Sequence, residues 1–354
     1  MSNRDKRAAL VAVIGTALAV AGATAPASAA GELSFLGWEG YADDSFVKDF
    51  EQETGCKVTA TYVGSNDDFA PKLAAGGGVY DIVSVSADST GVLVAAGLVE
   101  PLDLSRVERW NEIYELFRNA GGINADGKVW GVPLTWGSIP LMYRTDKVTE
   151  APDSYGALWD KRYAGKVSLW DDKSALFNTA RLLGYDNVYD LTDEQLAAVK
   201  QKLVEQKPLL RKYWSTAGEL VNLYASGEVW ISNTWGGFQV AELQKQGIPV
   251  KEFLPKEKAD GWVDNWQIVK GSPNVDCAYK YINFTLSPKG QCGISNVTGY
   301  SAANPAAAKE CMSPDEFTAK HQDDIGYVNS LVMWEMPARL DVYTNVWNAV
   351  KAAE

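Results

Sequence analysis

The sequence predicts an α/β protein of two lobes with a hinged cleft between them. Strand and helix patterns alternate in the first part of the chain, which is typical of a parallel sheet wrapped by helices. A second alternating series begins near Thr135, and a strand at 261–267 returns to the first lobe. Without its N-terminal signal the chain is still too long for one compact core, and its length suits two lobes.

The first lobe is predicted from residues 30–134 and 260–303. Its opening strands cover 33–38, 57–63 and 80–85, and each is followed by a helix. The cluster Asp43-Asp44-Ser45 is typical of a helix start, and Gly55 of a helix end. In such sheets ligands bind at the loops beyond the carboxyl ends of the strands, so these loops are the first place to look for a site.

The second lobe is predicted from residues 135–259 and 304–354. Its strands are expected at 166–170, 228–232 and 250–254, and its helices at 175–183, 192–205, 217–225 and 237–246. Further helices are expected at 275–286, rejoining the first lobe, and at 340–352, closing the chain. Two or more connections between the lobes form a hinge, and a cleft of this kind closes on its ligand by bending a few residues.

Residues 1–29 are typical of a cleaved secretory signal. Arg4, Lys6 and Arg7 precede an apolar run at 8–23, and Ala27-Ser28-Ala29 is a small-residue cleavage site. The alternative is a membrane anchor, but the run is shorter than the roughly 20 residues that span a bilayer. The mature protein is therefore expected to be soluble in the periplasm, without membrane insertion and as a monomer.

The charge of the chain disfavours nucleic acid and anionic membranes as partners. The formal net charge is −12, and removing the signal takes away a net +2, so that the mature chain carries −14. An acidic surface repels polyanions and suits a small cation, although exported proteins are often acidic for solubility alone.

Four cysteines in an exported chain are expected to form two disulfides. Cys292 and Cys311 are close in sequence and flank a loop-rich stretch, so we pair them, which leaves Cys56 with Cys277. This is one of three possible connectivities. The chain has no Cys-x-x-Cys pair and its only histidine is His321, so neither a metal nor a cofactor is expected.

The strand at 261–267 carries the clearest chemical signal. Its alternation places Trp262, Asp264 and Trp266 on one face, and Val263 and Asn265 on the other. Ring faces beside a carboxylate suit a bound cation, whereas an unpaired aspartate in a core costs several kcal/mol. The alternative is a packing surface, with Asp264 capping a turn.

Other predicted strand ends repeat this pairing of an aromatic residue with an acid or a small polar group. A ring against a cation contributes about 0.5–2 kcal/mol, and each charge-assisted hydrogen bond about 1.5–3 kcal/mol. Together such groups are sufficient for micromolar affinity or better. The segments are Trp38-Glu39-Gly40-Tyr41, Asp88-Ser89, Thr135-Trp136-Gly137, Trp170-Asp171-Asp172, Thr234-Trp235-Gly236, Trp262-Val263-Asp264 and Thr298-Gly299-Tyr300.

The chain resembles the periplasmic substrate-binding proteins of ATP-driven (ABC) importers, in the polyamine branch that takes spermidine and putrescine. The resemblance covers nearly the whole mature chain and implies the type II periplasmic-binding-protein fold. Its motifs are loose one by one, but they follow the order of the family. They are Gly37 to Tyr41, Glu53 to Val58, Tyr80 to Val83, Gly97 to Asp103, Gly131 to Gly137, Gly261 to Asp264, Ser287 to Lys289 and Gly299 to Pro305.

The resemblance also implies roles for individual residues. Asp264 matches an acid that binds an ammonium, and Asp172, with Asp171, matches an acid facing the other amino end. Trp235 and Trp262 match rings around the methylene chain. The expected ligand-binding set is Trp38, Glu39, Tyr41, Ser86, Asp88, Trp136, Asp171, Asp172, Trp235, Trp262, Asp264 and Tyr300.

Three departures from the family pattern put the identity and length of the ligand in doubt. The family commonly has an acid just before the tyrosine of the first loop. This chain has Gly40 at that position, and Glu39 lies one place earlier. The family has a tyrosine two places after the serine that corresponds to Ser86, and this chain has Asp88 there. The family also has an acid after the aspartate pair, and this chain has Ala175 there.

The leading hypothesis is an exported receptor, not an enzyme, that captures a small cation such as putrescine or spermidine and delivers it to an ABC permease. One alternative is a receptor for another solute, such as a quaternary amine, an amino acid derivative or a sugar acid, and Arg144 reaching the cleft would favour an anion. Another is a secreted glycan hydrolase using Asp171, Asp172 and Asp264. The sequence disfavours a hydrolase, because the chain has no Gly-x-Ser-x-Gly motif and no metal-ligand spacing.

Overall fold

A computed structural model describes residues 31–76 and 78–353. The signal predicted at 1–29 lies outside the described residues. The strands are β1 Glu32–Gly37, β2 Lys57–Tyr62, β3 Ile82–Ser86, β4 Val99–Glu100, β5 Asn124–Ala125, β6 Lys128–Val129, β7 Val132–Ile139, β8 Leu141–Arg144, β9 Val167–Trp170, β10 Leu210–Trp214, β11 Ile231–Asn233, β12 Val250–Phe253, β13 Asp260–Val269, β14 Ser301–Ala302 and β15 Val332–Met333.

The α-helices cover both sheets. In chain order they are α1 Asp44–Thr54, α2 Phe69–Gly76, α3 Ala87–Ala95, α4 Glu115–Arg118, α5 Ser174–Leu182, α6 Asp193–Gln206, α7 Ala217–Ala225, α8 Phe238–Lys245, α9 Val275–Leu286, α10 Pro288–Thr298, α11 Pro305–Cys311, α12 Pro314–Ala319, α13 Ile325–Ser330 and α14 Leu340–Ala352.

Local sequence explains where several helices begin and end. The side chain of Asp43 accepts a hydrogen bond from the Ser45 amide at the start of α1, and Gly55 ends that helix in the left-handed conformation at φ 74°. Thr192 and Gln195 form a reciprocal capping box at the start of α6. Capping residues of this kind are the signals from which helix ends are predicted in a sequence.

The first sheet carries the strands of the first lobe in the order β14-β7-β13-β3-β1-β2, with β4 and β15 also pairing with β13. β1 runs parallel to β2 and β3, whereas β13 runs antiparallel to both β3 and β7. β13 therefore lies in the middle of a mixed sheet, and all ten of its residues are buried. Any polar side chain on this strand is held in a rigid, water-poor setting.

The second sheet has the order β10-β9-β11-β8-β12 and forms the second lobe. The chain enters it between β7, which ends at Ile139, and β8, which begins at Leu141. The expected boundary before Thr135 therefore falls inside β7. The chain returns to the first sheet between β12 and β13, so at least two connections join the lobes, in the manner expected for a hinge.

Elements within residues 304–353, predicted to belong to the second lobe, contact both lobes. α11 packs on α10, and β15 pairs with β13 of the first sheet, whereas α14 packs on α6. The sequence pattern shows helices in this segment but not the surface that each helix covers, because that surface belongs to residues distant in the chain.

The predicted α/β class is confirmed, and so are both predicted disulfides. Cys56 is bonded to Cys277 and Cys292 to Cys311. The predicted helices at 217–225, 275–286 and 340–352 match α7, α9 and α14. The sequence patterns missed β10, in which Arg211 and Lys212 are exposed, because two neighbouring charges hide the alternation of an edge strand.

Candidate functional site

The central strand β13 carries Asp264, Trp262 and Trp266 on the same face. Tyr41 touches two of them: its ring lies 6.2 Å from that of Trp266, and its hydroxyl hydrogen bonds to Asp264. On the opposite face Asn265 donates to the backbone oxygen of Val85. The alternation predicted for 261–267 is therefore present in the structure. The side chain of Asp264 lies on the opposite side of the sheet from that of Asn265.

Asp264 is held by two hydroxyl groups. Tyr41 donates to Oδ2 at 2.5 Å, and Ser86, on the neighbouring strand β3, donates to Oδ1 at 2.7 Å. The side chain belongs to a residue that is only 4% exposed. Burial raises the pKa of Asp264 to about 7, with a further contribution from the charge of Asp88 and against the effect of the two hydroxyls. Near neutral pH the acid is poised between its two protonation states.

Asp264 has no cationic partner within the described residues 31–76 and 78–353, where every ion pair involves other acids. A buried carboxylate without a counter-charge costs several kcal/mol. Arg144, the basic residue whose position the sequence left open, is bonded to Asp146 and to the backbone oxygen of Tyr224. The charge of Asp264 is therefore available to a ligand.

Trp262 and Tyr300 form the wall next to this acid. Their ring centroids are 4.7 Å apart in an edge-to-face arrangement, and the Trp262 Nε1 donates to the backbone oxygen of Ser138. A Cβ at Gly137 would lie 2.6 Å from the Trp262 ring, so only glycine on β7 admits the ring in this position. Asp264, Tyr300 and Trp262 together make the acidic end of the site.

Four tryptophans from both lobes form the opposite, aromatic end. Trp235 follows β11, and its ring lies 6.1 Å from that of Trp38 and 5.3 Å from that of Trp170. Trp170 is stacked on Trp334 with centroids 6.0 Å apart. These rings present faces and edges that attract cations and alkyl chains.

The acidic and aromatic ends line one cavity, whose empty volume of about 350 Å³ includes space open to solvent. Among the described residues none that lines it is basic. Seven of the twelve predicted ligand residues line it, and Tyr41 supports Asp264 from behind. The lining residues are Trp38, Glu39, Ser86, Ile139, Trp170, Trp235, Trp262, Asp264, Tyr300 and Trp334.

Glu39 is the only other acid among these lining residues, and it is exposed. Its position at the solvent side of the cavity differs from that of the buried Asp264. A charge reached by water contributes less to binding than a buried one, because solvent screens it.

The predicted acid pair Asp171 and Asp172 lies outside the cavity. Asp171 accepts hydrogen bonds from Trp347 and Lys351 on α14. Asp172 accepts from the Ser174 amide and from the Ser65 hydroxyl across the cleft. Neither acid lines the cavity beside Asp264, so Asp171 and Asp172 do not form with Asp264 the carboxylate pair considered for a glycan hydrolase.

Asp88 and Trp136 are also placed elsewhere. Asp88 lines two neighbouring cavities, and burial raises its pKa to about 6, with Lys173 opposing and Asp172 adding to the shift. Trp136 is buried, donates from Nε1 to the backbone oxygen of Ala302 and packs on Phe117. Trp136 also lines a second cavity, together with Trp235 and Tyr300.

The two lobes are in contact around the cavity. Lys173 of the second lobe pairs with Asp67 of the first at 2.8 Å, and Trp170 donates from Nε1 to the backbone oxygen of Gly64 at 3.0 Å. Burial disfavours the ammonium of Lys173, but the nearby carboxylates outweigh it and raise its pKa. These contacts join the two lobes across the cleft.

Three residues that line the cavity are not among those predicted from the sequence: Trp170, Trp334 and Ile139. Trp170 could have been found, since it precedes the acid pair at the end of a predicted strand. Trp334 follows β15, in a segment with no strand pattern, so no local signal marks it. Ile139 is an ordinary apolar residue of β7, and only the tertiary structure places it in the cavity.

Residues 45–323 match the family of bacterial extracellular solute-binding proteins, and the chain belongs to this family. The resemblance drawn from the sequence is thereby confirmed at the level of the family. Within the described residues no helix has the length and apolar character needed to cross a bilayer.

Curated relatives carry names from the polyamine branch. The chain is 29% identical over 293 residues to the putrescine-binding periplasmic protein PotF of Escherichia coli, covering 78% of each chain. It is 28% identical over 303 residues to the spermidine/putrescine-binding periplasmic protein 1 of Haemophilus influenzae, covering 84% of this chain and 81% of the relative.

Solved structures confirm the two-lobed periplasmic-binding-protein fold. A putative spermidine/putrescine ABC transporter protein from Listeria monocytogenes is 25% identical and superposes with a TM-score of 0.82, covering 92% of this chain and 100% of that one. The similarity spans both lobes.

Proposed function

We propose that this protein is an exported solute-binding receptor that captures a small cationic ligand of the polyamine class, such as putrescine or spermidine, and delivers it to an ABC permease. It acts as a monomer in the periplasm after cleavage of its signal, and it has no catalytic activity. Its ligand lies in the cavity between the lobes.

The observation that carries this proposal is the buried carboxylate of Asp264, which two hydroxyls orient and no cation among the described residues neutralises. An ammonium group supplies the missing charge and donates to the carboxylate. Such a charge-assisted hydrogen bond contributes about 1.5–3 kcal/mol.

The tryptophans support the same chemistry. Each ring against a cation or its alkyl chain contributes about 0.5–2 kcal/mol, and the cavity has several such rings and, in the part of the chain that the structure describes, no basic residue in its lining. An anionic ligand, by contrast, would meet the charge of Asp264 with no compensating group. The site therefore favours cations over sugar acids.

The names of the relatives support an amine as the cation, since putrescine or spermidine appears in those of both the Escherichia coli and the Haemophilus influenzae protein. Membership of the solute-binding family supports delivery to a permease. The contacts between Lys173 and Asp67 support a cleft that closes over its ligand, as capture and release require.

Isothermal titration calorimetry of the mature protein tests the proposal. Putrescine, spermidine, simple alkyl amines, their N-acylated forms and neutral or acidic amino acids are titrated in the same buffer at pH 8. We expect saturable heat with at least one of the amines and none with acidic amino acids. The absence of heat with every amine would contradict the proposal.

A further inference from the structure

The enclosed part of the cavity provides for one positive charge only. Asp264 is its single buried acid among the described residues, whereas Glu39 is exposed to solvent. Asp172, predicted to face a second amino end, is instead bonded to Ser174 and Ser65 and lies next to the buried ammonium of Lys173. A second ammonium buried at the aromatic end would have no carboxylate partner, and this costs several kcal/mol.

The aromatic end also has hydrogen-bond donors that lack acceptors. The Nε1 atoms of Trp38, Trp235 and Trp334 are buried and have no partner among residues 31–76 and 78–353. In contrast, Trp170 and Trp262, which line the same cavity, donate to the backbone oxygens of Gly64 and Ser138. A buried donor left unpaired costs about 1–3 kcal/mol, so three such groups around one ligand cavity need a reason.

A neutral acceptor on the ligand resolves both observations. An ammonium has only donors and cannot accept from an indole N–H. An amide carbonyl is uncharged, and its oxygen has two lone pairs that accept hydrogen bonds. The rings of Trp38 and Trp235, which would donate to it, have centroids 6.1 Å apart. The charged end of such a ligand meets Asp264, and its methylene chain lies against the rings.

We infer that the preferred ligand carries one ammonium and one neutral hydrogen-bond acceptor, which is the chemistry of a diamine acylated on one nitrogen. This rests on the proposed capture of amines and narrows it from polyamines in general to monocationic derivatives. Asp264 selects the free amino end, and Trp38 and Trp235 select the acyl end.

Calorimetry with three probes of similar chain length tests the inference. Putrescine has two charged ends, N-acetylputrescine has one charged end and an amide, and butylamine has one charged end and no acceptor. We expect N-acetylputrescine to bind at least tenfold more tightly than putrescine and more tightly than butylamine. Equal or tighter binding of putrescine would overturn the inference and leave amine capture intact. If no amine binds, the proposed function fails as well.

Two variants test the role of the indole N–H groups separately from the rings. Trp38→Phe and Trp235→Phe keep an aromatic ring and remove the donor. We expect each to weaken N-acetylputrescine binding five- to tenfold, and to weaken butylamine binding at least threefold less than that. A loss that is equal for both probes, or no loss for either, would show that the N–H groups do not recognise an acceptor.

Trp159→Phe is the matched control, because this tryptophan lies outside the cavity and donates to the backbone oxygen of Lys202. Affinity for both probes should stay within twofold of the unaltered protein. Circular dichroism at 25 °C establishes that each variant is folded before titration.

Discussion

The hydroxyl of Tyr41 lies 2.5 Å from Oδ2 of Asp264, although 223 positions separate the two residues in the chain. Tyr41 belongs to the turn after β1, and Asp264 to the middle of β13. Tyr41 is itself fixed, since Tyr281 donates to its backbone oxygen. The acid is therefore oriented before any ligand arrives, and the preorganised geometry reduces the entropic cost of binding.

Replacing Asp264 by asparagine should weaken amine binding at least tenfold at pH 8. The variant keeps the shape of the side chain but removes the charge that an ammonium meets, which is worth roughly 1.5–3 kcal/mol. Calorimetric titration with the tightest amine gives the affinity.

Asp103→Asn is the control for this variant. Asp103 is exposed and caps the turn at Ser105, far from the cavity. An equal loss of affinity in the two variants would show that general electrostatics, and not the Asp264 contact, accounts for binding.

Amine affinity should depend on pH through Asp264. Its pKa in the ligand-free protein is about 7, and only the ionised form attracts an ammonium. We expect affinity to be constant above about pH 8 and to fall roughly tenfold per pH unit well below 7, since the protonated acid must then lose its proton to bind. Titrations from pH 5 to 9 measure this profile. A profile that stays flat, or one that Asp264→Asn retains, would contradict it.

The same acid should lower the stability of the ligand-free protein at high pH. An aspartate in the unfolded chain has a pKa near 4, whereas that of folded Asp264 is raised to about 7. Between these values the native state holds the proton more tightly, so the free energy of unfolding decreases as pH rises. We expect Asp264→Asn to gain on the order of 2–4 kcal/mol relative to the unaltered protein between pH 4 and pH 8.

Urea unfolding of both proteins at several pH values measures this difference. Parallel stability profiles for the two proteins would show that Asp264 is not the group responsible. We expect Asp264 to lower the stability of the ligand-free protein and yet to be required for binding. Such a trade-off between stability and function is common where function needs a buried charge.

The ion pair between Asp67 and Lys173 should stabilise the state in which the lobes touch. Asp67→Asn is expected to weaken ligand affinity two- to fivefold, since its side chain is 39% exposed and a partly solvated pair contributes about 0.5–1 kcal/mol. The effect should shrink in high salt. Small-angle scattering in the absence of ligand should show a larger radius of gyration for the variant.

Asp276→Asn serves as the comparison here, because Asp276 pairs with Arg106 within the first lobe. Its loss should leave affinity and lobe closure unchanged. If both substitutions act alike, the pair across the cleft has no special role.

The long-range disulfide should stabilise the fold more than the short-range one. Cys56 and Cys277 are 221 positions apart, whereas Cys292 and Cys311 are 19 apart. A cross-link that closes a longer loop removes more entropy from the unfolded chain, with typical effects of about 2–5 kcal/mol. Paired serine substitutions compared by thermal unfolding should show the larger loss for the first pair. A larger loss for the second pair would contradict the loop-length argument.

The sequence by itself determined the α/β alternation, the family and the face of β13 that carries Trp262 and Asp264. These follow from local rules, because side chains alternate along a strand and capping residues mark the ends of helices. The aromatic residues at the predicted strand ends indicated a cleft, and the structure brings Trp38 and Trp235 together as that prediction requires.

Only the tertiary structure decided which acids are available to a ligand. Asp171 and Asp172 have the same local pattern as a binding pair, but Lys351 and Ser65, distant in the chain, engage them. Trp334 reaches the cavity from a segment with no strand pattern. The physical reason is that the charge and access of a side chain depend on its neighbours in space, and a local pattern specifies only its neighbours along the chain.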